Sequence, residues 1–224
     1  MVTSFVKSNI AAGAAGTAAL FNHAETQADC IVTDLAAGSL PIAVSALTGT
    51  IVAARLPSKY ASIWLSASGG KPRTSNGCAP VAWSEMSTYK QMIATLDFDT
   101  ASDEYCQWPE FSMPNGYAGG ALTVVPYWTA ASGSGTVCWS ISGRSYANDE
   151  ALDQAFGSAA TSTDTLITAL DVHVGPSASV TLGGTPAGGE LCIIQCMRDV
   201  SEDTLDVDAK LLGLRVMYLT SYGD

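Results

Sequence analysis

The sequence predicts an all-β protein: an antiparallel β-sandwich preceded by an irregular, β-containing N-terminal arm. Three observations carry that expectation. Beyond residue 90, apolar residues recur with period two in short runs, separated by Gly, Pro, Asn-Gly and Gly-Gly clusters that end strands. Charge is divided unevenly, since residues 1–90 sum to +2 and residues 91–224 to −13. Hydrophobic residues make up 47% of the 224 and charged residues only 14%, which supplies a core and excludes wholesale disorder.

Residues 1–89 read as the arm and residues 90–224 as the sandwich domain. Met1–Phe21 is rich in Ala and Gly and lacks the Leu-rich centre of a signal peptide. Leu35–Ala54 is uncharged and long enough to span a bilayer. Its Gly38, Ser39, Pro41, Ser45, Thr48 and Gly49 suit a lipid-facing helix poorly, so no membrane partner is expected. Alternation at Leu40, Ile42 and Val44 fits a strand buried against protein instead.

Met92–Phe98 and Tyr105–Ser112 are the first two strands expected in the domain. Met113–Gly120 is a turn by its Pro, Asn-Gly and Gly-Gly content. Ala121–Trp128 follows as a strand whose Pro126 implies a sheet edge or a bulge. Thr136–Ser142 alternates in step with it, and the two read as a hairpin across a Gly/Ser loop. Asn148–Gly157 is expected to be a short helix, with Asn148 as N-cap, Asp149 and Glu150 in the first turn and Gly157 as the stop. Thr165–Val174 and Ala178–Leu182 read as strands, then Gly183–Gly189 as a turn and Glu190–Arg198 as a central strand. The last strand, Ala209–Leu219, is apolar on both parities, which suggests a face covered by another subunit. Eight or so antiparallel strands with one short helix point to a jelly roll.

Little in the chain asks for catalysis, a cofactor or a metal. Cys30, Cys78, Cys106, Cys138, Cys192 and Cys196 are scattered and form no Cys-x-x-Cys pair. Cys192 and Cys196 share one face of a strand about 13 Å apart, too far for a disulfide. They read as small buried apolar residues. The acidic clusters Asp97, Asp99, Asp103, Glu104 and Asp199, Glu202, Asp203, Asp206, Asp208 lack the spacing of a calcium loop. Asp203 is placed to bond backbone N–H groups of its turn and to pair with Arg198 or Lys210. His23 and His173 have no recognisable nucleophile, and Gly133-Ser134-Gly135 is a loop rather than a nucleophile elbow. A strongly acidic domain also repels phosphate backbones, so nucleic acid is not an expected partner.

The motifs Ala94–Asp99, Met113–Tyr117, Val125–Ala130, Gly135–Trp139, Asp164-Thr165 and above all Asp203–Tyr218 occur in an order of their own. In that order they resemble the jelly-roll module of tailed-phage virion proteins, of the head decoration (cement) or head-fibre type and some tail-associated kinds. The resemblance covers residues 90–224. It implies a non-catalytic homotrimer on the capsid surface, assembled in the host cytoplasm and bound to the major capsid protein, with residues 1–89 lying across capsomers. On that reading Leu211, Met217 and Leu219 of the last strand, with Leu40, Ile42 and Val44 of the arm, are the partner-binding candidates. The alternative is an adhesion module that binds a host-surface glycan. For it the sequence offers Tyr105, Trp108, Phe111, Tyr117, Tyr127, Trp128 and Trp139 as stacking surfaces, although Trp128 and Trp139 are read first as core.

Overall fold

Alternating runs become strands wherever one parity finds a core, and here two sheets supply that core to each other. A computed structural model describes residues 59–220. In chain order the strands are β1 (Lys59–Ser66), β2 (Lys71–Pro72), β3 (Ala82–Glu85), β4 (Met92–Phe98), β5 (Glu104–Ser112), β6 (Leu122–Thr129), β7 (Thr136–Tyr146), β8 (Ala160–Thr165), β9 (His173–Val174), β10 (Ala178–Val180), β11 (Leu191–Arg198) and β12 (Ala209–Thr220). A seven-stranded sheet runs β10-β6-β12-β4-β3, with β1 also paired to β12 and β9 to β6. A five-stranded sheet runs β2-β5-β11-β7-β8. Every pairing of strands is antiparallel. The expected all-β sandwich is therefore the architecture found.

The core lies between the sheets. Leu96, Phe98, Leu122, Val124, Trp128, Leu211, Leu214 and Val216 come from the first sheet, and Trp139, Ile141, Ile194 and Cys196 from the second. Phe98 meets Trp139 edge to face at 5.1 Å between ring centroids, so this contact joins the two layers. The Trp128 indole N–H donates to Asp164 Oδ2 at 2.8 Å, which satisfies the polar edge of a fully buried ring.

Several expectations are corrected. The sandwich reaches N-terminally past residue 90, because β1, β2 and β3 are members of its sheets; residues 1–58, with Leu40, Ile42 and Val44, lie outside the described residues. β6 and β7 do not form a hairpin. The edges of β6 are taken by β12, β9 and β10 and those of β7 by β11 and β8, so the loop between them arches from one sheet to the other. Gly133 (φ 89°) and Gly135 (φ 116°) make that arch with left-handed backbone. Alternation looks the same in a hairpin and in an arch, since both strands turn one parity toward the core.

No helix forms at Asn148–Gly157. Asp149 takes φ 66°, which ends the first turn, and Arg144 Nη1 holds the following chain through Ala155 O at 3.0 Å. The strand expected at Thr165–Val174 is mostly loop, with Leu170 at φ 67°: only His173–Val174 (β9) is strand, while β8 (Ala160–Thr165), which the sequence did not suggest, ends where it was to begin. Pro126 sits where the edge of β6 passes from β10 to β9, where its missing N–H leaves no ladder bond unmade on that edge; its carbonyl accepts from Gly175 N–H at 2.9 Å.

One buried ion pair closes an end of the sandwich. Arg198 continues the inner row Cys192, Ile194, Cys196 of β11, and its side chain is 1% exposed. All five of its N–H donors are used. Nε and Nη2 bond the Asp203 carboxylate at 2.8 and 3.1 Å. The others reach the carbonyls of Phe98, Val207 and Leu205 at 3.0, 2.9 and 2.7 Å. Asp203, 3% exposed, also accepts from Leu205 N–H at 2.6 Å. The sequence offered Arg198 or Lys210 as its partner; Arg198 takes it, and Lys210 pairs with Asp97 across β12 and β4.

Cys78, Cys106, Cys138, Cys192 and Cys196 are buried and unbridged, as small apolar residues would be. Burial pushes the Cys106 and Cys196 thiols well above their usual range.

Two outcomes are expected. Arg198→Ala strands a buried carboxylate and should lower unfolding free energy by about 3–5 kcal/mol in urea titration. Alkylation mapped by mass spectrometry should reach Cys106 and Cys196 only through the unfolding transition, since neither access nor thiolate is present in the native state.

Candidate functional site

Residues that the core does not consume are displayed on the outer faces, and the outer face of the seven-stranded sheet carries the most distinctive set. β1 and β12 pair over their whole shared length, with Tyr60 opposite Leu219, Ser62 opposite Met217 and Trp64 opposite Arg215. The alternate pairs, Ala61–Tyr218, Ile63–Val216 and Leu65–Leu214, face the core. On the other flank of β12, Thr123 lies opposite Met217, Val125 opposite Arg215 and Tyr127 opposite Gly213. Tyr60, Trp64, Tyr127, Arg215, Met217 and Leu219 thus share the solvent side of three adjacent strands.

A bulge sets this arrangement. The β12–β6 register shifts between Leu211 and Gly213, so Leu212 is the extra residue and parity changes across it. Leu211 consequently points inward with Leu214 and Val216 and is fully buried. Of the partner-binding candidates on the last strand, Leu211 is a core residue, whereas Met217 and Leu219 lie half-buried on the outer face.

The rings are held rather than merely exposed. Trp64 meets Tyr127 edge to face, with centroids 5.2 Å apart and planes at 89°. The Trp64 indole lies over Gly213. A Cβ on that glycine would come within 2.6 Å of Trp64 Cζ2 and 2.5 Å of Leu65 O, so only glycine leaves room for the ring. Trp64 is nevertheless 49% exposed and Tyr60 67%. Trp64, seated over Gly213 and braced by Tyr127, is a fixed and accessible aromatic platform, the surface that stacks on flat apolar faces.

The outer face of the five-stranded sheet is of another kind. Gln107 Nε2 donates to Gln195 Oε1 at 2.9 Å, and Gln195 Nε2 reaches Ser142 Oγ at 3.4 Å, a polar rung across β5, β11 and β7. Arg73 lies over the Tyr105 ring at 4.1 Å.

The remaining sequence candidates are structural. Trp108, Phe111, Tyr117, Trp128 and Trp139 are buried, and only Tyr105 and Tyr127 of the seven aromatics reach an outer face. His173 packs against Trp128 at 4.9 Å, with its Nε2 at 3.0 Å from Thr168 O. The acidic clusters serve loops. Asp99 Oδ1 accepts from Ala101 and Ser102 N–H, Glu104 Oε2 from Asp99 N–H, Asp103 Oδ1 from Val200 N–H, and Asp206 Oδ1 from Ser134 N–H. Burial, aided by the Asp99 and Asp208 charges, raises the Glu104 carboxyl above its usual range. Among the described residues, no group of three or more His, Cys, Asp or Glu is placed to hold a metal ion, and no helix is long and apolar enough to cross a membrane.

Tyr60 and Trp64 fall within residues 1–89, which the sequence assigns to the arm, and so stand outside its candidates. The signal was present: Tyr60, Ser62, Trp64 against Ala61, Ile63, Leu65 is a period-two strand.

No protein-family model matches the chain, and no curated protein matches it. Solved structures do. A xylanase 10B fragment of Clostridium thermocellum, carrying modules CBM22-1 and GH10 with xylohexaose, is similar at 12% identity and TM-score 0.42 over 72% of this chain; the chain spans 28% of that structure. CBM28, a module specific for non-crystalline cellulose, is similar at 11% identity and TM-score 0.38, over 69% of this chain and 87% of the module. The C-terminal CBM6 of a laminarinase from Zobellia galactanivorans is similar at 7% identity and TM-score 0.36, over 70% and 98%. These are likenesses of fold.

Gly213→Ala is expected to cost about 1–3 kcal/mol and to displace Trp64. Near-UV circular dichroism should lose the band from the Trp64–Tyr127 pair, with Trp64→Phe identifying that band.

Proposed function

We propose that this chain is a non-catalytic recognition module of a tailed-phage particle, and that it binds a surface saccharide on the outer face of its seven-stranded sheet. The observation that carries the reading is the Trp64–Gly213–Tyr127 platform: an exposed tryptophan seated over a glycine and braced by a tyrosine edge. A sugar ring has an apolar C–H face, and its burial against a fixed indole loses little side-chain entropy on binding. The carboxylates hydrogen-bonded to loop N–H groups or paired with Arg198 and Lys210 are occupied in holding the fold, which supports a binding role over hydrolysis. The placement on a virion rests on the resemblance of Asp203–Tyr218 and its companion motifs.

A second reading is the trimeric capsid decoration protein, a cement that adds buried apolar area to the shell. Met217, Leu219 and Tyr60 favour it, because they form an apolar patch at one end of the same face. Residues 1–58 would then carry the contact with the major capsid protein.

Quantitative mass spectrometry of the purified particle separates the two. A copy number that is a simple fraction of the shell subunits supports cement, a handful of copies supports recognition, and absence from the particle removes both. A stable monomer by light scattering removes the trimer. In calorimetric titration with a glycan panel, Trp64→Ala should weaken saccharide binding about 30-fold, roughly 2 kcal/mol. An unchanged affinity would remove the platform from the site.

A further inference from the structure

We infer that the ligand of this face is an acidic saccharide, and that Arg215 is the residue that reads its carboxylate. The inference rests on the saccharide reading above and names the chemistry of its ligand.

The described residues hold four arginines, and three are committed. Arg73 lies over Tyr105. Arg144 bonds Gln154 and Ala155 and lies 3.6 Å from Glu150. Arg198 is saturated by Asp203 and three carbonyls. Arg215 has no ion pair, no hydrogen bond and no ring beneath it among these residues. Its Nε is buried and unpartnered, although the side chain as a whole is only half-buried. A guanidinium partly withdrawn from water without a partner loses hydration and gains nothing in return, so it is stabilised when an anion arrives.

Its surroundings suit one class of anion. Arg215 lies directly opposite Trp64, where facing Cβ atoms are about 5 Å apart, and Tyr127 is the diagonal neighbour. A group gripped by the guanidinium therefore rests beside the aromatic platform. A pyranose with a ring carboxylate offers both halves at that spacing: an acid for the fork of Arg215 and a C–H face for Trp64.

Charge agrees. Residues 59–220 carry eight basic and seventeen acidic side chains, a net of −9. Yet on the strands β1, β12, β6 and β4 the outer parity presents one carboxylate, Asp97, and that is paired with Lys210. With Arg215 the face is positive by one charge inside a strongly acidic domain. That field favours an acid at Arg215 and repels it elsewhere, which sets position as well as class.

The test is calorimetric titration of the full chain with polygalacturonate, hyaluronan oligomers and sialyllactose, and with the carboxyl-reduced counterpart of each. At least one acid should bind tenfold or more tightly than its reduced form, with affinity falling as salt rises. Arg215→Gln should abolish that preference and leave the weak platform binding, while Arg215→Lys should keep part of it; unchanged melting temperatures confirm the fold. Equal affinity for acid and reduced forms, unaffected by Arg215→Gln, overturns the inference and leaves the saccharide reading standing. Absence of binding to every glycan overturns the saccharide reading and the inference with it. Equal binding of a polyglutamate peptide, insensitive to Trp64→Ala, would assign the face to an acidic protein partner and overturn the acidic-saccharide assignment.

Discussion

A charged side chain on the inner row of a strand has to be satisfied completely or removed, and in this protein the satisfaction of Arg198 organises the end of the sandwich. Its five donors reach a carboxylate and three carbonyls drawn from β4, from the segment after β11 and from the approach to β12. Phe98 belongs to the seven-stranded sheet and Arg198 to the five-stranded one, so the guanidinium ties the layers together at the place where the Phe98 and Trp139 rings also meet. The loop that delivers β12 is shaped by the same bonds. Asp203 takes two of them while its Oδ1 also accepts from Leu205 N–H, and Thr204 and Asp206 hold Thr136 and Ser134 of the arch between the sheets. Because β12 stands between β6 and β1, the position of everything on the outer face follows from how this strand begins.

The second constraint is the bulge at Leu212. Before it, odd-numbered residues of β12 face the core; after it, even-numbered ones do. Without the shift, the core positions of Leu214, Val216 and Tyr218 would pass to the outer face, and Arg215 would be driven between the sheets. The bulge thus makes Gly213 the seat for Trp64 and turns Arg215 outward beside it.

Much of this was legible in the chain. Alternation located β4, β5, β6, β11 and β12 to within a few residues, because each is a short, largely apolar alternating run bounded by turn residues. For Asp203 the sequence offers Arg198 or Lys210 without choosing between them, and the structure takes Arg198, which lies on the inner row of β11. Sheet membership was not. Val124 and Trp128, or Trp139 and Ile141, show which side of a strand is inward but not which strand lies alongside, so an arch passed for a hairpin. The apolar character of both parities in β12 has two sources: the bulge brings Leu211 to the inner side with Leu214, and Met217 and Leu219 stand on the outer face. The expected helix at Asn148–Gly157 has a cap, an acidic first turn and Leu152 and Phe156 four apart, but Leu152 stays exposed with nothing to pack on, and a helix that short does not stand on capping alone. Trp64 lies on the arm side of the boundary drawn at residue 89, although Pro57-Ser58 and Ser68-Gly69-Gly70 bracket β1.

The two arginines of β11 and β12 show how one residue type serves opposite ends by parity alone. Arg198 lies on an inner row, and the fold closes around it until no donor is left over. Arg215 lies on an outer row whose carboxylate, Asp97, is already paired with Lys210, and the fold leaves its Nε without a partner. Acidity elsewhere in the domain sharpens the difference, since seventeen carboxylates are present and none is brought to this guanidinium among the described residues. A net charge of either sign favours solubility in general, but the exclusion of carboxylates from one face does not follow from it. What remains there is a fixed indole, a phenol edge and an open cation, and these together describe a ligand with an apolar face and a negative group beside it.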